Sequence, residues 1–115
     1  MHELSYVTHL VDLALKTARK NHAKTVKSIT VEVGEMTGVE PYYLKYYYPQ
    51  VVEGTILNGA ELITEQVPVL VSCSQCGGEY QPSRDNKYLC PHCGSPEGRI
   101  LKGKEVLLKD MEIEI

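Results

Sequence analysis

The chain is 115 residues long, 43% hydrophobic and 23% charged, with a formal net charge of −3. That length supports one modest core, burying roughly two-thirds of the unfolded surface, and the composition excludes intrinsic disorder. The acidic balance argues against nucleic acid as a partner, because binding domains of this size are usually basic, and no run of about 18 apolar residues is present to cross a membrane.

The first segment, Leu4 to Ala18, reads as an amphipathic helix. Leu4, Val7, Val11, Ala14, Leu15 and Ala18 recur at helical spacing. Lys16, Arg19 and Lys20 sit near its C-terminal end, where cations suit the helix dipole. Glu3 and Asp12 interrupt any apolar signal region and no basic stretch precedes it, so an export signal is not expected. Thr25 to Val33 alternates, with Ile29, Val31 and Val33 on one face, as a half-buried strand does. Gly34 to Gly38 is a turn-rich link. Pro41 suits the first turn of a second helix, continued to Glu53, with Leu44, Tyr47, Tyr48, Val51 and Val52 as its core candidates. Pro49 inside it removes one hydrogen bond and predicts a kink. Ala60 to Val67 and Val69 to Ser72 read as strands divided by Pro68. Ile100, Val106 to Leu108, Met111, Ile113 and Ile115 return to strand chemistry.

Between these strands, Cys73 to Cys93 is polar, rich in Gly, Pro and Ser, and too poor in apolar residues for a core of its own. Another staple must hold it. The expected fold is therefore α/β of the α+β kind. A small sheet is packed by two helices, and a four-cysteine, zinc-ribbon-like module is inserted before the last strand. In residues, 1–69 form the main body, completed by a final strand within 102–115, and 70–101 form the metal-binding unit.

Cys73-Ser-Gln-Cys76 and Cys90-Pro-His-Cys93 are two matching knuckles separated by thirteen residues. Each pair of thiolates can hold one cation from a single tight turn, and Gly77, Gly78 and Gly94 supply permissive backbone. Together they form a tetrahedral four-sulfur site suited to Zn²⁺. A closed shell of four thiolates leaves no open position for water, which makes the site structural, not catalytic. Without an export signal a reducing cytoplasm is expected, where such cysteines bind metal more often than they form disulfides. Iron in a rubredoxin-like site fits the same spacing. Between Leu70 and Leu101, Arg84, Lys87 and Arg99 balance Glu79, Asp85 and Glu97. A phosphate-tracking surface would be positive, so a nucleic-acid-binding ribbon is the weaker reading.

The chain opens Met1-His2-Glu3. Taken alone this is an ordinary solvated end. It also has definite ligand chemistry. An α-amine titrates near ~7.7–8.0, and it can chelate with the His2 imidazole and backbone nitrogens in a planar set that suits Ni²⁺ or Cu²⁺. The Glu3 carboxylate is a separate group that would orient the site or meet a partner. Ser5 and His9 share a helical spacing, but no nucleophile turn accompanies them. With no phosphate-binding glycine loop either, no enzymatic activity is expected.

The opening Met1-His2-Glu3-Leu4-Ser5 resembles the start of the HypA/HybF family, the nickel metallochaperones of hydrogenase maturation. Val33-Gly34-Glu35-Met36-Thr37-Gly38-Val39 resembles the family's strand end and turn. Glu53-Gly54-Thr55, Gly59-Ala60-Glu61-Leu62, the two cysteine knuckles, Gly103-Lys104-Glu105-Val106 and Met111-Glu112-Ile113 follow in the family's order. The resemblance implies a nickel-binding αβ domain in 1–69 with 102–115, taking Ni(II) as cargo through His2 and the main-chain nitrogens of Met1, His2 and Glu3. It implies structural Zn(II) held by Cys73, Cys76, Cys90 and Cys93. Its partners would be a nickel-handling, HypB-like GTPase, the large subunit of a [NiFe]-hydrogenase and, in some organisms, urease maturation proteins. Nucleic acid and membrane are not among them, the setting is cytoplasmic, and a monomer or weak homodimer is expected. The alternative is a zinc-ribbon interaction module that transports no metal. Family helices often carry Phe where this chain has Tyr in Tyr42 to Tyr48. Some relatives have an extra His between the knuckles, which this loop lacks. His92, between two cysteines, reads as an exposed knuckle residue.

Overall fold

Helix α1 spans Glu3–Lys20 and buries Val7, Leu10, Val11, Ala14 and Ala18, a stripe at i, i+3, i+4 and i+7. The stripe is centred toward Leu10 and Glu3, which is itself only 6% exposed. Leu4, expected inside, therefore falls at its margin and is 51% exposed. The computed structural model describes residues 3–115. After α1 come strand β1 (Thr25–Gly34), a 3-10 turn (Glu35–Thr37), helix α2 (Pro41–Val52) and strand β2 (Glu61–Val67). Strands β3 (Leu70–Cys73), β4 (Glu79–Tyr80) and β5 (Gly98–Lys102) precede the last strand, β6 (Val106–Glu114).

Two three-stranded sheets result, ordered β2-β1-β6 and β4-β3-β5. In the first, β1 pairs parallel to β2, and the connection between them carries α2, as a parallel pair requires. β6 pairs antiparallel to β1, so the chain leaves this sheet after β2, builds the second sheet and returns. Ile29, Val31 and Val33 face the helices in one core with Val7, Val11, Leu44, Val52, Leu57 and Leu62. β6 lays Val106, Leu108, Met111 and Ile113 against that core. These positions are out of phase with strict alternation. A register shift corrects them: Val31 pairs with Leu108 and Thr30 with Asp110, leaving Lys109 as the extra residue of a bulge. The Lys109 ammonium reaches the Glu65 carboxylate on β2, 2.9 Å away.

In α2, Pro41 takes the first turn, where its missing N–H is not needed. Leu44, Tyr48 and Val52 are buried at four-residue spacing, while Tyr47 and Val51 only flank the core. The helix continues through Pro49 to Val52. Pro49 and Lys45, whose carbonyl loses its donor, are both exposed, so the interruption falls on the solvated side.

Tyr48 is 7% exposed and its hydroxyl is buried without a hydrogen-bond partner among the described residues. Burial pushes that hydroxyl up to about 12. A buried hydroxyl with no partner carries a desolvation cost and returns nothing. Tyr48→Phe is therefore expected to stabilise the protein by about 1 kcal/mol. A urea midpoint that rises at constant slope would show it, and a lower midpoint would mean that the hydroxyl is satisfied in solution.

The second sheet has a small core of Val69, Val71, Cys73, Tyr80 and Cys90, with Ile100 packed against it. Two of the five are cysteines. No described helix is long and apolar enough to cross a membrane.

Candidate metal centre

The two knuckles close by the same hydrogen bonds. The Cys73 N–H donates to the Gly78 carbonyl (2.8 Å) and the Gly77 N–H to the Cys73 carbonyl (3.0 Å). Seventeen residues on, the Cys90 N–H donates to the Ser95 carbonyl (3.0 Å) and the Gly94 N–H to the Cys90 carbonyl (2.8 Å). The amides of Gln75 and His92 each lie 3.4 Å from the sulfur two residues before them, Cys73 and Cys90. Gly77 and Gly94 hold φ of 74° and 76°, a left-handed conformation that costs an L side chain roughly 1–2 kcal/mol. A Cβ at either glycine would meet nothing within 4 Å. Gly94→Ala should therefore lower stability by roughly 1–2 kcal/mol through backbone strain alone, leaving metal stoichiometry intact. Thermal melts with metal analysis test this, and loss of metal would mean that the turn has no slack.

Strand β3 supplies Cys73 and pairs with β4 and β5, which brings the second knuckle over the first. The sulfurs of Cys73 and Cys93 are 3.5 Å apart, those of Cys76 and Cys90 3.7 Å, and all four lie within 4.8 Å of one another. A tetrahedral cation with metal–sulfur bonds of ~2.3 Å needs sulfurs about 3.8 Å apart. The geometry fits such an ion. Cys73 and Cys90 are buried, Cys76 and Cys93 exposed, so an ion here would have an apolar side against Tyr80 and Val71 and a wet side.

The electrostatics need a cation. The Cys76 backbone amide leads the effects that hold the Cys73 thiol down at about 6, helped against burial by the Gln75 amide and the neighbouring sulfurs. At Cys93 the Ser95 amide favours the thiolate, but Cys73, burial, Cys90 and Cys76 together outweigh it and push the thiol up to about 12. At Cys76 the Gly78 amide pulls down while burial and the sulfurs of Cys90 and Cys73 raise it overall. Without a metal, four thiolates this close cannot all ionise, whereas a divalent ion removes the conflict. Near pH 7, binding must displace the protons of Cys76 and Cys93, because a ligating thiol is deprotonated. Metal affinity should therefore rise with pH through neutrality. Below about 6, where Cys73 also takes up its proton, the dependence should steepen. Calorimetry of zinc binding in buffers of different ionisation enthalpy measures the release, and heats independent of buffer would contradict it.

His92 is exposed, as its position in the knuckle predicts. Its ring packs by Gly78, where a Cβ would stand 3.0 Å from the ring Cδ2 and 3.4 Å from the Cys76 sulfur. Tyr80 was not singled out in sequence, although it is the large residue that fills the space behind Cys73 and Cys90. The signal was an aromatic residue just past the first knuckle in an otherwise polar stretch.

The N-terminal candidates part company here. Met1 and His2 lie outside the described residues. Glu3 opens α1 with its side chain buried. One carboxylate oxygen stands 3.5 Å from the Glu40 N–H at the start of α2, and the other is buried with no partner among the described residues.

The family model for HypA, described as "Hydrogenase/urease nickel incorporation, metallochaperone", matches residues 1–113. The chain belongs to the HypA family. It is 42% identical over 115 residues to the hydrogenase maturation factor HypA of Methanocella arvoryzae, covering all of both chains. With the HypA of Aquifex aeolicus it shares 39% identity, covering 100% of this chain and 99% of that one. The solution structure of the Ni metallochaperone HypA from Helicobacter pylori aligns with a TM-score of 0.76 at 25% identity, covering 99% of this chain and 98% of that chain. The family is one of nickel metallochaperones for hydrogenase maturation, and the four clustered cysteines give this member a site arranged for a metal ion.

Proposed function

We propose that the protein binds Ni(II) at its N-terminus and delivers it for [NiFe]-hydrogenase maturation, with zinc as the structural ion of Cys73, Cys76, Cys90 and Cys93. The observation that carries this reading is a family match that begins at residue 1 and so includes the Met1-His2-Glu3 triplet. The nickel-handling part is residues 1–69 with 102–115, and the zinc part is 70–101. The Met1 amine, the His2 imidazole and the backbone nitrogens of His2 and Glu3 form a planar set. The described part of helix α1 begins at Glu3, and the first amides of a helix have no intrahelical acceptor, which in this reading leaves the Glu3 nitrogen available to coordinate. Nitrogen ligands in a plane select Ni²⁺ or Cu²⁺ over Zn²⁺, and the soft four-sulfur cage selects zinc. The two ions are thus sorted by ligand chemistry.

The cargo leaves by ligand exchange, not by catalysis in this chain. The receiving proteins are a HypB-like GTPase and the hydrogenase large subunit, with urease maturation proteins as further candidates, in the cytoplasm. Titrating nickel into zinc-loaded protein with a native N-terminus tests the reading. One nickel per chain, lost in His2→Ala while zinc is retained, supports it. Equal binding by both proteins, or none, leaves a zinc-stapled interaction module that carries no cargo.

A further inference from the structure

The cysteine module leaves the main sheet by two strands of backbone, and both are pinned at one place. Where β1 ends, the Gly34 N–H donates to the Glu105 carbonyl (2.9 Å) and the Met36 N–H to the Gly103 carbonyl (2.8 Å). The other strand passes the same point, with the Val69 N–H 3.4 Å from a Glu35 carboxylate oxygen. The packing needs glycine twice. A Cβ on Gly34 would collide with the Gly103 carbonyl oxygen and lie 2.5 Å from the carbonyl carbon and 2.8 Å from the Glu105 oxygen. A Cβ on Gly103, whose φ is +91°, would stand 2.7 Å from the Pro68 oxygen and 2.8 Å from the Val69 nitrogen. Those obstacles are backbone and cannot rotate away.

The segment that makes this clasp continues directly to the start of α1. The Thr37 hydroxyl donates to the Gly34 carbonyl (2.7 Å) and accepts from the Val39 N–H (3.2 Å). The next residue, Glu40, places its N–H against the Glu3 carboxylate. Glu40 is also the N-cap of α2, and its own side chain makes no capping bond. The buried Glu3 carboxylate therefore supplies the negative charge that suits this helix start. Seven residues, Gly34 to Glu40, thus run from the neck of the cysteine module to the residue that anchors the N-terminal triplet.

We propose that Gly34–Glu40 is a positioning element, clasped to the module's neck at Gly103 and Val69 and to α1 through Glu3, so that the seating of the module sets the geometry of the chain's N-terminus. Gly34, Gly103 and Glu35 are its positioning residues. None of them belongs to the four-cysteine site. The clasp itself is independent of what the N-terminus binds. Its effect on nickel rests on the terminal-site reading above.

Gly34→Ala in the full-length, zinc-loaded protein drives a methyl into the clasp. Glu35→Ala is the gentler variant, since its side chain is exposed and only the Val69 N–H loses an acceptor. Residual dipolar couplings should fit both sheets to one alignment frame in the wild type and to two in Gly34→Ala. The Glu3 and Glu40 amide resonances should move in both variants, with one zinc per chain retained. Nickel affinity should fall roughly 2- to 30-fold, an effect that a purely local defect at the neck would not produce. A single alignment frame in both variants, or unmoved Glu3 and Glu40 amides, overturns the proposal. If Gly34→Ala does not fold, unmoved amides in Glu35→Ala overturn it alone. Should wild type and His2→Ala bind nickel equally, the terminal-site reading fails, while the couplings and amide shifts still decide the clasp.

Discussion

Cys90→Ala is expected to release the ion from the four-sulfur site and unfold residues 70–101, while α1, α2 and the β2-β1-β6 sheet stay folded. The two halves of the molecule are held by different means. Among the described residues the main core gathers fifteen buried ones from both helices, the first sheet and the link between α2 and β2. The second holds five, and Cys73 and Cys90 are two of them. Removing the Cys90 sulfur takes a ligand and a core residue together. A structural zinc supplies about 10–16 kcal/mol of apparent binding free energy in small domains that are unfolded without it, more than the module's few apolar side chains can replace. The backbone cost also returns, since Gly77, Lys87, Tyr88 and Gly94 all sit at positive φ in this stretch. Zinc analysis with amide spectra is the test. Amides of 70–101 should collapse to unfolded positions while those of Ile29, Val31 and Leu44 stay dispersed. A module that keeps its dispersion without metal would show that the Tyr80 cluster suffices, and would reduce the zinc to a late addition.

Much of this architecture is local in sequence and was legible there. The cysteine spacing sets its own turns, so the cluster could be read before any tertiary structure was known. The alternation of β1 and the proline opening α2 were equally plain. What escaped was set by partners distant in the chain. The bulge at Lys109 is invisible in β6 alone, because its cause is the need to keep Leu108 and Met111 on the face that β1 presents. Burial of Glu3 could not be read from a charged residue at a helix start. It follows from the arrival of Glu40, 37 positions later. The clasp at Gly34 and Gly103 joins three segments, and its glycines look in sequence like ordinary turn residues. The second core was underestimated for a related reason. Cysteine counted as a ligand only, whereas buried thiols also pack as small apolar side chains.

Acetylating the Met1 amine is expected to weaken nickel binding at least about 100-fold, taking the loss of a direct ligand to exceed that of an outer-shell partner. Zinc content and fold should not change, because the four sulfurs cluster beside the β4-β3-β5 sheet, whereas α1 packs in the core of the β2-β1-β6 sheet. Acetylation keeps every side chain. It removes only the free amine that anchors the proposed chelate. His2→Ala should lose affinity to a similar degree by removing the ring. Glu3→Gln should keep the site, since the proposed ligand there is the backbone nitrogen. Binding must displace the proton of an amine that titrates near ~7.7–8.0 and those of the coordinating amides. The metal-free state therefore holds more protons than the bound one, and nickel affinity should climb as pH rises through that range. A visible d–d band of planar nickel that appears in the native protein and vanishes on acetylation would locate the cargo at the amine. Undiminished binding by the acetylated chain would move it to side chains, with the buried Glu3 then serving the fold alone.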